Sequence, residues 1–514
     1  MGKVPFHLAV AACAAAMLPS VATSATDAEV ESLRAELARL KAEYAERLSA
    51  LEAKIQQLQP EPDVGATAAV DQSIEERSAA VAGVAGTAAA DRSIEESIAA
   101  VSAGPAAGPA TGPAAGDVAA AGPPAAAAAS APGKSSAFNP AISLILAGNY
   151  ANLSNNPDDY AIQGFIPAGD EIGPGDRSFN LGESELTIAA SVDPYFMGSL
   201  TVAITGDNEI EVEEAYFRTT ALPYGATVKG GQFYSSLGYL NDIHAHAWDF
   251  TDQPLVYQAF FGGQMAVQGA QLKWIAPLDT LLELGVESGN GDYFPGTRLA
   301  RNGLNGYVAY AHVGGDIGET IAWRTGLSYV DLDAQDREFE DPNAAGEAAT
   351  NAFTGSSTTW IADAEFKWTP IGDPSRQYLK LQGEYMSRRE DGQLAYLYGN
   401  QDLDGSYKSD QSGWYVQGVY QFLPRWRFGA RYDSLDSGNT KIGLVQQGTL
   451  PADDFSLLMP GSPTRTTIMF DWNPSEFSRI RAQYAWDDAS AGPTDEQFFL
   501  QYIYAMGAHG AHKF

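Results

Sequence analysis

The sequence of 514 residues contains a single cysteine, Cys13. This residue lies in an N-terminal segment with a basic start, an apolar run over 8–18 and the small residues Thr23-Ser24-Ala25, a pattern typical of a secretory signal peptide. The apolar run continues past Cys13, which argues against a lipoprotein-processing site there. Removal of a signal peptide over 1–25 would leave a chain without disulfide or thiolate chemistry.

Long apolar runs and catalytic motifs are also missing. No later apolar run reaches the roughly 18–20 residues that a membrane-spanning helix needs. The sequence has no Gly-x-Ser-x-Gly, HExxH or phosphate-loop motif, so we expect no enzyme and no cofactor. The formal net charge of −33 suits either a large turn-rich β protein or an acidic secreted enzyme, and we expect no nucleic-acid partner.

The chain has, instead, many short segments in which apolar residues alternate with polar ones. In Trp360–Trp368, for example, tryptophan, alanine and phenylalanine side chains share one face, while Asp363, Glu365 and Lys367 share the other. About sixteen such segments follow residue 138. Short turns and long loops separate them alternately, with long loops near 154–179, 235–260, 333–356, 389–410 and 434–462. This pattern predicts an all-β transmembrane β-barrel of about 16 antiparallel strands over residues 138–514.

The segment before the barrel has a different pattern. Residues 26–59 carry apolar side chains at heptad spacing, which predicts a coiled-coil stalk that we expect to be trimeric, with a single solvated helix as the alternative. Residues 60–137 contain a 20-residue duplication around the motif Ser-Ile-Glu-Glu, and then a tract of Ala, Gly and Pro. This composition predicts a disordered linker.

The alternation also assigns the two faces of the barrel wall. Arginine on the lipid face costs about 2–4 kcal/mol at mid-bilayer, so we place the charged faces inside. Early strands then contribute acidic pore-lining residues: Glu183, Glu185, Glu283, Glu287, Asp363 and Glu365. Late strands contribute an arginine wall: Arg425, Arg427, Arg431, Arg465, Arg479 and Arg481. Such opposed rows would either filter polar solutes or pair across the lumen and stiffen the barrel.

One long segment, near 235–260, contains a pair of histidines. We predict that Asp242, His244, His246 and Asp249 form the pore constriction. Two imidazoles at positions i and i+2 also suit a metal site at His244 and His246, although such a pair alone is more often structural. The other histidines of the mature chain are His312 and a tail pair, His509 and His512.

The block 211–269 resembles the corresponding part of the phosphate-selective porin O and P family. The similarity runs from the strand Glu213-Glu214-Ala215-Tyr216-Phe217 through Gly230-Gly231-Gln232-Phe233 to Gly262-Gly263-Gln264. The resemblance implies a sixteen-stranded, trimeric outer-membrane channel whose third long loop folds into the lumen. In that family lysines and arginines line the phosphate path, whereas the loop here has neither.

These patterns together indicate an outer-membrane porin of a Gram-negative bacterium. We expect passive diffusion of small hydrophilic solutes or ions, a homotrimer surrounded by outer-membrane lipid and lipopolysaccharide, and a stalk in the periplasm. One alternative is a zinc-type metal-ion channel that uses the two loop histidines. Another is a structural tether of the envelope, for which the barrel is only an anchor.

Overall fold

A computed structural model describes residues 140–168, 172–191, 193–206, 209–299 and 301–507. The predicted signal peptide (1–25), stalk (26–59) and linker (60–137) lie outside the described residues, and so do His509 and His512. Within the described part, no helix is long and apolar enough to cross a membrane.

The described chain is built almost wholly of β-strands. Their bounds are β1 Ala141–Leu153, β2 Ser178–Leu181, β3 Ser184–Ser191, β4 Phe196–Ile204, β5 Ile210–Thr219, β6 Ala226–Tyr234, β7 Ala266–Ile275, β8 Leu281–Gly289, β9 Gly306–Ile317, β10 Ile321–Pro342, β11 Ala348–Trp368, β12 Tyr378–Tyr398, β13 Gln401–Leu423, β14 Trp426–Asp436, β15 Lys441–Ile442, β16 Thr464–Ser475, β17 Ser478–Asp488 and β18 Asp495–Gly507. Two short α-helices, α1 (Leu255–Phe261) and α2 (Gly443–Gln446), lie in the connections.

The strands form one closed antiparallel barrel. Each strand pairs with its neighbours in the chain, and β1 pairs with β18 from Ser143 opposite Gly507 onward, which closes the sheet. Both β2 and β3 pair with β1, so they are two halves of one interrupted strand. The two-residue β15 only extends the edge of β13. The barrel therefore has 16 strand positions, as the alternation predicts.

Apolar side chains face outward around the barrel. Exposed examples from distant strands include Leu186, Trp360, Phe428, Phe470 and Tyr502. Their strand neighbours point inward, and many of these are charged, such as Glu185, Arg427 and Asp471. An apolar belt of this extent on a closed barrel needs an apolar surrounding, such as lipid.

The strands β10 to β13 are 21–23 residues long, about twice the length of most others. The predicted long loops 333–356 and 389–410 are therefore wrong, because these residues continue the two hairpins. The outward face changes character in this extension: on β12 it passes from Tyr385 to Ser387, Arg389 and Asp391, all exposed. Outward polar residues show that the extension stands in water, where apolar-out alternation no longer holds.

Loops at the long-loop edge of the barrel fold back onto its inner wall. One apolar cluster joins α2 and the segment Ala452–Leu458 to the inner faces of the long hairpins, with Phe455 and Leu444 at its centre. A larger cluster lies deeper and is built around the connection between β6 and β7. That connection contains the candidate site.

Candidate functional site

Residues 235–265, called the inner loop below, leave β6, enter the lumen and return to β7. Asn241 ties the two ends together, since its side-chain NH2 donates to the carbonyl oxygens of Ser235 and Met265, each at 2.8 Å. The amide of Met265 donates in turn to Asn241 Oδ1 at 2.8 Å. The Gly-Gln-Phe sequence at the end of β6 therefore leads into a closed loop with a fixed neck.

The helix α1 forms the centre of the inner loop, and all seven of its residues are buried. Gly262 ends the helix in the left-handed conformation, with φ 65°, which favours glycine. From the wall, Arg388 on β12 donates to the last carbonyls of the helix, at 3.1 Å to Ala259 and 3.3 Å to Phe260. The helix is thus held at its C-terminal end by a buried cation, which suits the helix dipole.

Two wall carboxylates accept hydrogen bonds from the inner loop. Glu287 accepts from Ser235 Oγ at 2.6 Å and from the amide of Ser236 at 2.9 Å. Glu384 on β12 accepts from the amide of Tyr239 at 3.1 Å and from the hydroxyl of Tyr257 at 2.9 Å. Glu287 is a predicted lining residue, whereas the role of Glu384 was not predicted. Its inward parity on β12 would have identified it.

On the opposite side, two aspartates of the inner loop pair with the arginine wall. Asp249 binds Arg427 at 3.1 Å and also contacts Lys380. Asp252 binds both Arg431 and Arg465 at 2.9 Å.

These cations also set the ionisation of the two loop aspartates. Burial alone would raise the pKa of Asp249, but Lys380 and Arg427 outweigh it and hold that pKa well below its usual value. Arg431 and Arg465 lower the pKa of Asp252 against burial in the same way. Both aspartates are therefore ionised at neutral pH.

The remaining arginines complete this inner surface. Arg481 binds Asp471 at 2.8 Å, and both Arg479 and Arg481 donate to the carbonyl of Trp248 in the inner loop. Arg427, Arg431, Arg465, Arg479 and Arg481 are each at most 4 % exposed. The arginine wall therefore binds the inner loop and nearby aspartates and is largely shielded from water.

Arg425 was predicted to be in this wall, and that prediction is wrong. The residue lies in the turn between β13 and β14 with a φ of 72°, and its exposed side chain donates to the carbonyl of Pro474 at 2.8 Å. The tight turn shifts the strand start to Trp426, so the inward alternation begins at Arg427.

The predicted acidic residues do lie on the early strands, but they form separate groups. Glu283 on β8 is paired with His312 at 3.1 Å and with Lys273 at 3.2 Å. On β11, Asp363 is buried and Glu365 is half-buried.

The last two acidic residues, Glu183 and Glu185, flank the start of β3. Glu183 is half-buried and lies beside Glu213 of β5, whereas Glu185 is buried against the loop histidines.

The two loop histidines meet the wall at β3 and β5. His244 Nδ1 lies 3.2 Å from Glu185 Oε2 and 3.1 Å from Glu213 Oε2, while its Nε2 lies 3.2 Å from Glu214 Oε2. His246 Nδ1 lies 2.5 Å from Glu185 Oε1. Burial would lower the pKa of His244, but the facing carboxylates, Glu185 foremost, raise it well above its usual value.

Asp242 faces a different set of charges. Burial raises its pKa, although the nearby cations Arg324, Lys229 and Lys273 oppose this effect. These three basic residues lie on β6, β7 and β10 and were not predicted as lining residues. Their inward parity was a signal that could have revealed them. Asp242 and Asp249 thus contact different parts of the wall, and the four predicted constriction residues do not form one ring.

Comparisons with known proteins add a relative and distant structural neighbours. No family model matches the chain. An uncharacterized protein of Aquifex aeolicus is 34% identical over 403 residues, which cover 74% of this chain and 80% of that protein.

Three solved structures illustrate the distant neighbours. A loop-deletion mutant of OmpT, an outer membrane protein of Vibrio cholerae, is 12% identical over 72% of this chain and 99% of its own, with a TM-score of 0.46. The outer membrane channel DcaP of Acinetobacter baumannii is 14% identical over 72% and 96%, with a TM-score of 0.41. An anion-selective porin from Comamonas acidovorans is 8% identical over 72% and 99%, with a TM-score of 0.43. Likeness at this level assigns no function.

Proposed function

The chain belongs to the same family as the uncharacterized protein of Aquifex aeolicus, and we propose that it is a passive outer-membrane porin. Small hydrophilic solutes or ions diffuse through the barrel and past the inner loop, with no chemical step. The observation that carries this proposal is a closed barrel of 16 strand positions with an apolar belt outside and charged residues inside. Barrels of this size enclose an aqueous lumen between their walls.

The inner loop is the constriction in this proposal. It contacts the wall on β3, β5, β8, β12, β14, β16 and β17, so it crosses the lumen and is not confined to one side. A loop fixed at so many points narrows the path through the lumen. Among the described residues, no separate domain blocks either edge of the barrel. Its polar residues, together with the basic residues of β6, β7 and β10, set which solutes pass.

Half-buried inward basic residues support a role in ion passage. Lys273 and Arg324 lie near the short-turn edge of their strands, where Lys273 pairs with Glu283 and Arg324 donates to the carbonyl of Gly238 in the inner loop. Such residues concentrate anions at a pore mouth, and the field is strongest where the walls exclude water. The acidic Glu365 on β11 attracts cations instead. Whether the pore prefers anions or cations therefore depends on the balance between these basic and acidic residues.

The membrane and the oligomer belong to the same proposal. In this proposal the apolar belt faces outer-membrane lipid, and lipopolysaccharide contacts the polar long-loop edge of the barrel. The predicted stalk holds three copies of the chain together in the periplasm. Chemical crosslinking of the protein in its native membrane should give a trimer, and removal of residues 26–59 should weaken it.

Liposome swelling tests the channel directly. Proteoliposomes in isotonic solutions of sugars of increasing size should swell quickly with small sugars and slowly with large ones, with no energy source. Equal, leak-level swelling with all sugars, for protein shown to be folded, would refute the proposed diffusion channel and favour an anchoring role for the barrel.

A further inference from the structure

Three side chains from three elements converge where the inner loop meets the early strands. Glu185 comes from β3, Glu213 from β5 and His244 from the loop, and one ligand atom from each lies within 4.8 Å of the others. The Nδ1 atom of His244 is 3.1–3.2 Å from the nearest oxygen of each glutamate. Ligand atoms bound to one ion at about 2.0–2.2 Å lie about 3–3.6 Å apart, so the two distances from His244 already match coordination spacing.

The second polar atom of each of these three side chains is held by another residue. His244 Nε2 lies 3.2 Å from Glu214 Oε2. Glu185 Oε1 lies 2.5 Å from His246 Nδ1, and Glu213 Oε1 accepts from the hydroxyl of Tyr234 at 3.1 Å. Metal ligands are commonly oriented in this way, by partners that hold the atom that does not face the ion.

A fourth carboxylate stands beside the group. Glu183 contacts Glu213, and within the described part of the chain its buried Oε1 atom has no hydrogen-bond partner. Four carboxylates thus surround one imidazole, with Lys229 near Glu214 and Arg479 on the carbonyl of His246 as the nearby cations. Carboxylates packed this closely repel one another unless cations stand between them.

We propose that Glu185, Glu213 and His244 bind a divalent transition-metal ion of the Zn²⁺ type, which ties the inner loop to the barrel wall. Mixed imidazole and carboxylate ligands suit Zn²⁺ or Fe²⁺ better than Mg²⁺ or Ca²⁺, which prefer oxygen alone. Three protein ligands leave a further position for water or for the free oxygen of Glu183. His246 and Glu214 act as positioning residues that orient Glu185 and His244.

The site depends on the loop and the wall, and it does not require that the barrel conduct. Metal binding and solute passage are therefore separate measurements, and either can fail alone. Without an ion, the same contacts would be those of a protonated His244 paired with carboxylates, and this is the competing outcome.

Isothermal titration of folded, detergent-solubilised protein with Zn²⁺ tests the proposal. The protein is first treated with EDTA, and all variants carry His509→Ala and His512→Ala to remove the tail histidines. One Zn²⁺ per chain should bind, His244→Ala and Glu213→Gln should abolish this binding, and Glu214→Gln should weaken it about 10–100-fold. The matched control is His312→Ala, which removes a buried histidine of another His–Glu pair and should bind Zn²⁺ like the parent.

Folding of each variant is checked by its heat-dependent mobility on gels, so that loss of binding is read only from folded barrels. No stoichiometric Zn²⁺ on the parent protein, or equal binding by His244→Ala, would overturn the proposal in favour of the ion-paired histidine. Zn²⁺ binding by a barrel that fails the swelling test would leave the site standing and remove only the channel.

Discussion

At the scale of single residues, burial separates two kinds of ion pair in this barrel. Asp252 pairs with Arg431 and Arg465 in the interior, where both arginines are 2 % exposed. Asp410 and Arg389 pair at 2.7 Å on the outer surface of the long hairpins, where both side chains are mostly exposed. Removing one partner of a buried pair leaves an uncompensated charge in a poorly solvated place, whereas water replaces the partner at the surface.

Asp252→Asn should therefore destabilise the barrel by about 3–5 kcal/mol. Asp410→Asn, the matched control, should change the free energy of unfolding by about 0–1 kcal/mol. Urea unfolding in lipid vesicles, followed by tryptophan fluorescence, measures both. Equal effects would mean that the interior pairs are as well hydrated as the surface pair.

The same aspartates predict how the proposed constriction responds to acid. The pKa values of Asp249 and Asp252 are lowered in the folded protein. Their stabilising contribution is therefore complete above the unfolded value of about 3.9 and is lost as the pH falls through the lower folded values. Single-channel conductance should stay constant from neutral pH down to about pH 4, and current noise should rise only below it. A transition near neutral pH would contradict this prediction, because it would show that the titration of Asp249 and Asp252 does not control the loop.

Parity along a strand predicts which residues point inward, but it does not predict their partners. Arg427, Arg431, Arg465, Arg479 and Arg481 do lie on the inner face, as the alternation indicates. Their partners in the inner loop are about 180–230 residues away in the chain, as with Asp252 and Arg431, and no local pattern encodes that distance. The acidic and basic walls therefore do not simply face each other: the arginines and some of the glutamates, such as Glu185 and Glu287, bind the loop that lies between them.

At the scale of elements, the strands of the membrane belt were predictable and the long hairpins were not. Within the belt, lipid outside and polar groups inside impose a strict period of two. Beyond it, the outer face is polar and the inner face apolar, as Phe339 and Phe353 show where they pack beneath the folded loops. The inverted polarity resembles that of an exposed loop, which is why the sequence pattern indicated loops at 333–356 and 389–410.

The many anchors of the inner loop predict that the proposed constriction is fixed and is not a moving gate. Val256 of α1 and Gly413 of β13 allow a test, because a Cβ atom at Gly413 would lie 3.4 Å from Cβ of Val256. This spacing is near the range of disulfides, and the natural sequence contains a single cysteine, Cys13. The Leu435 side chain has to shift to admit the new sulfur.

The double variant Val256→Cys/Gly413→Cys should therefore conduct equally in its oxidised and reduced forms. Each single cysteine variant serves as the control for the effect of the substitution itself. A conductance that falls on oxidation and recovers on reduction would mean that the inner loop must leave β13 for solutes to pass.

At the scale of the whole molecule, the apolar belt between its aromatic residues is somewhat lower than the roughly 25 Å apolar band of outer-membrane barrels. Aromatic pairs lie at both edges of the apolar belt. The ring centroids of Tyr329 and Trp360 are 4.8 Å apart at one edge, and those of Trp426 and Trp472 are 5.6 Å apart at the other. From Trp360 to Trp368 a strand rises about 26 Å, which at the usual tilt of barrel strands corresponds to about 20 Å of membrane. The inner loop binds wall residues on both sides of the interior, such as Glu384 and Arg431, which is why we propose that it sets the size of the passage.

Single-channel conductance of the parent barrel and of a loop-deleted barrel tests this claim most directly. The amide of Ser235 already donates to the carbonyl of Met265 at 3.0 Å, so residues 237–263 can be replaced by two glycines without moving β6 or β7. We expect stepwise ohmic currents from the parent protein in planar bilayers and a several-fold larger step from the deletion variant. Equal conductance in the two proteins, or a barrel that stays closed at all voltages even without the loop, would contradict a diffusion channel constricted by the inner loop.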